Sequence, residues 1–243
     1  MKLYNLSRIV FFTVFISLSF TLHAQSNNQK SVLLVYGGWD GHNPEGFKNL
    51  FLPWLEDQGF DVTVSNSLDI YADSIKMATF DLIVQAWTMG ELTKEQSKGL
   101  LTAVANGAGL AGCHGGITDA FRCNLEYLNV VGGQFLSHPG GSIEYEVNFN
   151  DVSDPITKGL SDFTIKSEQY YMAMNPGVTV LATTTFTGDH AEWSRDVVMP
   201  VVWKRTWGKG KVFVNALGHS MDEYEIEQVM EVTMRGFNWA IRD

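Results

Sequence analysis

The chain has 243 residues, of which 45% are hydrophobic, 12% aromatic and 18% charged, and this excludes a disordered or low-complexity protein. Its 23 glycines and 6 prolines exclude a collagen-like repeat. With 27 acidic against 17 basic residues and no Lys/Arg cluster, the surface repels phosphate backbones, so nucleic acid is not an expected partner.

The chain opens with Lys2 and Arg8 ahead of an apolar run, Ile9 to Leu22, and then His23-Ala24-Gln25. Basic flank, short apolar core and Leu22 and Ala24 at the positions a signal peptidase reads mark a cleavable secretory signal over residues 1–24. The run is shorter than the ~20 residues a spanning helix needs, and no cysteine near the cut offers a lipid anchor. A short tail, 25–30, then leads into one domain over 31–243. The expectation is an exported protein, periplasmic or secreted, with no membrane association after cleavage. Without Lys2 and Arg8 the balance is 15 basic to 27 acidic residues.

From Ser31 the pattern is regular. Ser31 to Gly37 (SVLLVYG) is a continuous apolar run ending in glycine, as in a strand buried on both faces. A helix is predicted from about Glu45 to Gln58, with Phe47, Leu50, Phe51, Trp54 and Leu55 on one side. Strands follow at Asp61 to Ser65 and Asp81 to Trp87, with a short helix near Ile75 between them. Thr93 is placed to cap a helix from Lys94 to Asn106, closed by Gly107, and Ala108 to Cys113 is a fourth strand. A helix from Ile117 to Asn129 is expected next. Four strand–helix alternations predict parallel βαβ units and a doubly wound α/β sheet.

Beyond this point the pattern changes. Ile143 to Phe149, Thr164 to Tyr171, Val178 to Thr184 and Val197 to Trp203 are β-rich with no long helix between them. Lys211 to Ala216 is a last buried strand, and a helix from about Asp222 to Ile241 closes the chain. The prediction is a three-layer α/β domain with an antiparallel extension.

In an open parallel sheet, ligands bind beyond the carboxyl ends of the strands. Four histidines fall in glycine-rich turns or just after strand-like runs: His42 in GGWDGH, His114 in GCHGG, His138 in SHPGG and His219 in LGH. His190 lies in a predicted loop and reads as a surface residue. The Gly112-Cys-His-Gly-Gly116 segment resembles a nucleophile elbow, with Gly115 and Gly116 permitting the turn and His114 raised above the sheet. Histidine there suits acid–base work or metal ligation. Cys113 would point into the core; as the alternative, it could be a nucleophile paired with His219. Cys113 and Cys123 read as two buried thiols, although export would permit a disulfide.

Glu168 interrupts a strand-like stretch and could bring a carboxylate to the histidines, the alternative being a solvent-facing charge. His114, Glu168 and His219 are the catalytic candidates. Imidazoles at 42, 114, 138 and 219 could together hold a divalent metal such as Zn²⁺. Trp39, Trp87, Tyr170 and Tyr171 could stack on sugar rings or simply pack, and Trp203 and Trp207 read as structural. With His42, Gly115, Gly116 and His138, the residues Trp39, Trp87 and Tyr170 complete the candidate substrate site.

In order, several segments resemble the ThuA (trehalose utilisation) family: VYGG with His42, GLAGCHGG, VVGGQFLSHP, DPITKGL, Glu168-Gln-Tyr170, PVVW, GKGKVFV and ALGH. They span about residues 31 to 241. One departure is Ser167, which stands where the family's segment begins with aspartate, so Glu168 and Tyr170 carry over. The resemblance implies a flavodoxin-like sheet of the class I glutamine amidotransferase type, with His114 in place of the amidotransferase cysteine and no glutaminase activity. It implies a small sugar as substrate, a disaccharide or glycoside in its 3-keto form, broken by elimination or hydrolysis. A carbohydrate-binding protein without turnover is the alternative, and a homo-oligomer is compatible with either.

Overall fold

The computed structural model describes residues 29–243. The secretory signal read from the sequence lies outside the described residues. Among those described, no helix is long and apolar enough to cross a membrane.

The first half builds as the periodicity predicts. Strand β1 (Ser31–Gly38) pairs in parallel with β2 (Asp61–Ser65) and β3 (Leu82–Thr88). β4 (Gly109–Cys113) adds to β3, and β11 (Gly210–Asn215) adds to β4, both parallel. Val32 and Leu34 turn to one side of β1, Leu33 and Val35 to the other, and all four are fully buried. Such burial contributes about 1.5–3 kcal/mol per side chain. Helices α1 (Pro44–Asp57) and α6 (Glu227–Ala240) cover one face through Phe47, Phe51, Leu55, Val229, Val232 and Phe237. The other face takes α2 (Ser74–Met77), α3 (Lys94–Ala105) and α5 (Leu125–Val131), through Met77, Leu100, Val104, Val130 and Val131. Thr93 caps α3 as expected, in a reciprocal capping box with Gln96.

The second half extends the sheet by antiparallel steps. From β11 the order runs β10 (Val198–Trp207), β9 (Thr179–Thr185), β6 (Ser142–Phe149) and β7 (Phe163–Glu168). A separate two-stranded ribbon joins β5 (Gly133–Ser137) to β8 (Tyr171–Met174). After four reversals β7 points the same way as β11, so both end at one rim. In a flat sheet those ends would lie about 20 Å apart at the usual strand spacing. The extension curls instead: the β9–β10 register shifts near Val202, and β6 meets β9 only at Asn148 and Phe149.

Several sequence expectations need correction. The helix expected from Ile117 to Asn129 divides into α4 (Gly115–Thr118) and α5, because Phe121 and Cys123 adopt positive φ and Asn124 caps a new helix at Tyr127 N–H. Cys123 is thereby exposed rather than buried, and both cysteines are free thiols. The strand expected from Thr164 to Tyr171 breaks at Gln169–Tyr170, where the Gln169 amide donates to Thr184 Oγ1 and β8 leaves to pair with β5. That β5 strand had no clear alternation in the sequence. The closing helix starts at Glu227, since Ile226 is extended and Met221–Glu225 forms a 3-10 turn.

Candidate functional site

Three histidines leave three parallel strands at the same rim. His42 ends the 3-10 turn Asp40–His42 after β1. His114 follows β4 directly, and His219 lies just past β11. Glu168 closes β7, Tyr170 occupies the break before β8, and His138 follows β5.

The turn at His114 has the elbow geometry anticipated from its glycines. Its φ of 46° and ψ of −139° are a conformation that side-chain-bearing residues rarely take. Such strain costs of order 1–3 kcal/mol and persists only where the surroundings enforce it. Here the His114 N–H donates to Asn215 O at 2.7 Å, and Thr118 returns two hydrogen bonds to His114 O. Beneath, the buried Gln85 amide donates to Gly116 O and to the Tyr127 hydroxyl, which itself donates to Ile117 O. Gly115 has a separate role: a Cβ there would stand 2.3 Å from the His42 ring. Gly116 likewise faces Ala86 at 2.9 Å, too close for a side chain.

The imidazoles gather on one oxygen. Glu168 Oε2 is 3.2 Å from His114 Nε2, 3.2 Å from His219 Nδ1 and 3.9 Å from His42 Nε2. Its other oxygen, Oε1, is 3.6 Å from His138 Nε2. The Nδ1–H of His114 donates to the Ala216 carbonyl at 2.9 Å, and His42 Nδ1 is hydrogen-bonded to Thr88 Oγ1 at 3.0 Å. Both rings are thus anchored by one nitrogen with the other turned inward, as metal-ligating histidines are. His219 Nδ1 is buried and, though close to Glu168, is out of line for a hydrogen bond. Its loop is held by Glu223, whose buried carboxylate accepts from Gly218 N–H at 2.8 Å and His219 N–H at 3.3 Å.

Charge follows the geometry. Burial disfavours a charge on His114 and pushes its imidazole down to about 4, against the pull of Glu168. Partial burial also opposes charge on Glu168, but the surrounding imidazoles of His114, His219 and His42 outweigh it and hold this carboxyl well below its usual range. The same carboxylate raises His219.

Donor atoms of His42, His114, Glu168 and His219 all lie within 4.8 Å of one another. Three imidazoles and a carboxylate at that spacing suit a zinc-type cation, and the unpartnered His219 nitrogen faces the place it would occupy. His138 lies outside that set, its side chain 39% exposed. Tyr170 stacks on His114 with ring centroids 4.1 Å apart, and Trp39 meets His42 edge-on at 4.8 Å while 49% exposed. Trp87 packs against Gly37 and Gly90. His190 is exposed and lies against Gly140. Trp203 is fully buried and donates to Val131 O, a packing role. Cys113 is buried under α6, its Sγ 3.9 Å from Thr233 Oγ1, and burial pushes the thiol up to about 12. That removes it as a nucleophile. Thr88, the Ala216 carbonyl and Glu223 escaped the sequence reading. Only Thr88, the last residue of a strand, left a positional hint.

A family model described as ThuA, trehalose utilisation, matches residues 31–240. The chain belongs to the ThuA family. Its role is therefore carbohydrate-related. Among solved structures it is similar to a ThuA-like protein from Bacteroides uniformis, at 17% identity and a TM-score of 0.74, covering 90% of this chain and 93% of that one. A ThuA-like protein from Parabacteroides merdae matches at 21% identity and a TM-score of 0.70, covering 87% and 90%. A β-galactosidase from Bacillus circulans sp. alkalophilus matches at 12% identity and a TM-score of 0.55, over 88% of this chain and 31% of its own. At these identities the likeness is one of fold, the flavodoxin-like α/β sheet of ThuA proteins. A comparison with curated protein sequences finds no significant match.

Proposed function

We propose that the chain is a carbohydrate-processing enzyme acting on 3-keto derivatives of disaccharides or other glycosides, with His42, His114, Glu168 and His219 holding a zinc-type divalent cation. The observation that carries this reading is the convergence of three inward-facing imidazole nitrogens on one carboxylate oxygen. Bound there, the cation would supply Lewis acidity toward a ketone or alkoxide oxygen.

The chain's own groups then handle the protons. A 3-keto group acidifies the C2 proton; elimination takes that proton from C2, breaks the C1–O bond and delivers one proton to the departing oxygen. One shuttle therefore closes the balance. His114 is too deeply buried to reach a carbon-bound proton, so the role of base passes to His138. Its Nε2 is 3.6 Å from Glu168 Oε1, beyond hydrogen-bond distance, and remains free to accept the C2 proton. The carboxylate stabilises the resulting imidazolium, which returns the proton to the leaving oxygen. Exposed Trp39 offers an apolar face for the sugar ring. On the strength of residues 1–24 the enzyme acts outside the cytoplasm, and N-terminal sequencing of the mature protein checks this.

Metal analysis of the purified protein, paired with a product assay on 3-keto-trehalose, tests the reading. Stoichiometric Zn²⁺ or Mn²⁺ is expected, with glucose released and turnover reduced about 10²–10⁴-fold in His138→Ala. Tight binding of the keto-sugar without product, metal present, would instead mark a carbohydrate-binding protein without turnover.

A further inference from the structure

We infer that Tyr170 and a bound cation compete for a single lone pair, that of His114 Nε2, so that loading the site releases the Tyr170 hydroxyl to donate to an oxygen of the bound ligand. This rests on the metal reading above.

The Ala216 carbonyl can only accept, so the Nδ1 of His114 carries the hydrogen of the neutral ring and Nε2 carries its one lone pair. Two groups address that nitrogen. The Tyr170 hydroxyl donates to it at 2.6 Å, and Glu168 Oε2 stands 3.2 Å away. Carboxylate and lone pair are both acceptors, and with no positive charge between them they repel. The phenol proton relieves the nitrogen alone; a cation shared by nitrogen and carboxylate relieves both. Once the cation takes the lone pair and draws on the Glu168 carboxylate beside it, the phenol has lost the acceptor it holds at 2.6 Å.

The ring itself has nowhere to go. Tyr170 is buried, stacked on His114 at 4.1 Å and packed on Phe135 at 4.4 Å. Only the O–H bond is free to rotate. Beside it, the missing side chain of Gly115 leaves room, since a Cβ there would lie 3.3 Å from the hydroxyl. A buried donor deprived of its acceptor seeks another, and the oxygen of a ligand entering the cluster supplies it.

The test is a chelator-competition titration of metal-free wild type and Tyr170→Phe with Zn²⁺. The phenylalanine keeps the stacking and removes only the competing proton. The variant should bind about three- to tenfold more tightly, the factor set by one hydrogen bond of ordinary net strength. Wild type should also show a tyrosine ultraviolet difference signal on loading that the variant lacks. Equal or weaker binding by the variant overturns the inference and leaves the metal reading standing; absence of Zn²⁺ binding by wild type removes both. Should the variant fail to fold, the wild-type difference signal decides, and its absence overturns the inference.

Discussion

The parallel strands and the antiparallel extension supply different parts of the cluster. Three imidazoles come one each from the exits of β1, β4 and β11, within a rim that any open parallel sheet assembles. The carboxylate ends β7, the last strand of the curled extension, while the phenol and His138 sit beside the β5–β8 ribbon. The parallel frame thus provides the nitrogen donors. The extension and the ribbon provide the negative charge, the phenol and a fourth imidazole. A flavodoxin-like frame alone would present histidines at a strand rim with nothing to gather them.

Removing the extension's charge is the strongest way to break this division. Glu168→Gln should weaken Zn²⁺ binding by more than about 100-fold, beyond the range usual for outer-shell partners, with circular dichroism unchanged. Affinity near wild type would mean that the frame suffices by itself. The reverse test disturbs the frame and leaves the extension intact. Gly115→Ala suits the helical backbone at that position, yet its Cβ would meet the His42 ring at 2.3 Å. Displacing that ring should cost about 10–100-fold in Zn²⁺ affinity by the same titration.

The smallest effect separates the two by pH. In the metal-free protein the His114 imidazole sits near 4, below its ordinary 6.5, so the unfolded chain binds that proton more readily. The stabilisation from neutral His114 is therefore present above about 6.5 and is lost as the pH falls to about 4. Glu168, held below its ordinary 4.5, adds a further loss only below that value. Denaturant titrations across this range should show the first step disappear in His114→Gln and persist in Glu168→Gln. A first step unchanged in His114→Gln would show that another group carries it.

Much of this was legible in the chain. Apolar runs located β1 and β4 within a residue or so, and GCHGG announced a strained turn with His114 at its apex. The gathering of histidines followed from strand direction alone. Glu168 could be suspected but not settled, because alternation along a strand does not reveal whether a distant edge folds back over the rim. The split of α4 from α5 was hidden for a local reason, positive φ at Phe121 and Cys123, residue types that do not advertise it. Glu223 falls within the stretch expected to be helical from Asp222, and nothing in that pattern shows that its carboxylate holds two main-chain N–H groups.

The tether from Ala216 to His114 has a consequence for how the protein can change. The acceptor is a main-chain oxygen, present whichever amino acid occupies the position. Replacement there can crowd the tightly packed site but cannot delete the anchor. Orientation of the central imidazole is therefore written into the course of β11 rather than into a letter of the alphabet, and random mutation reaches it only by bending the strand.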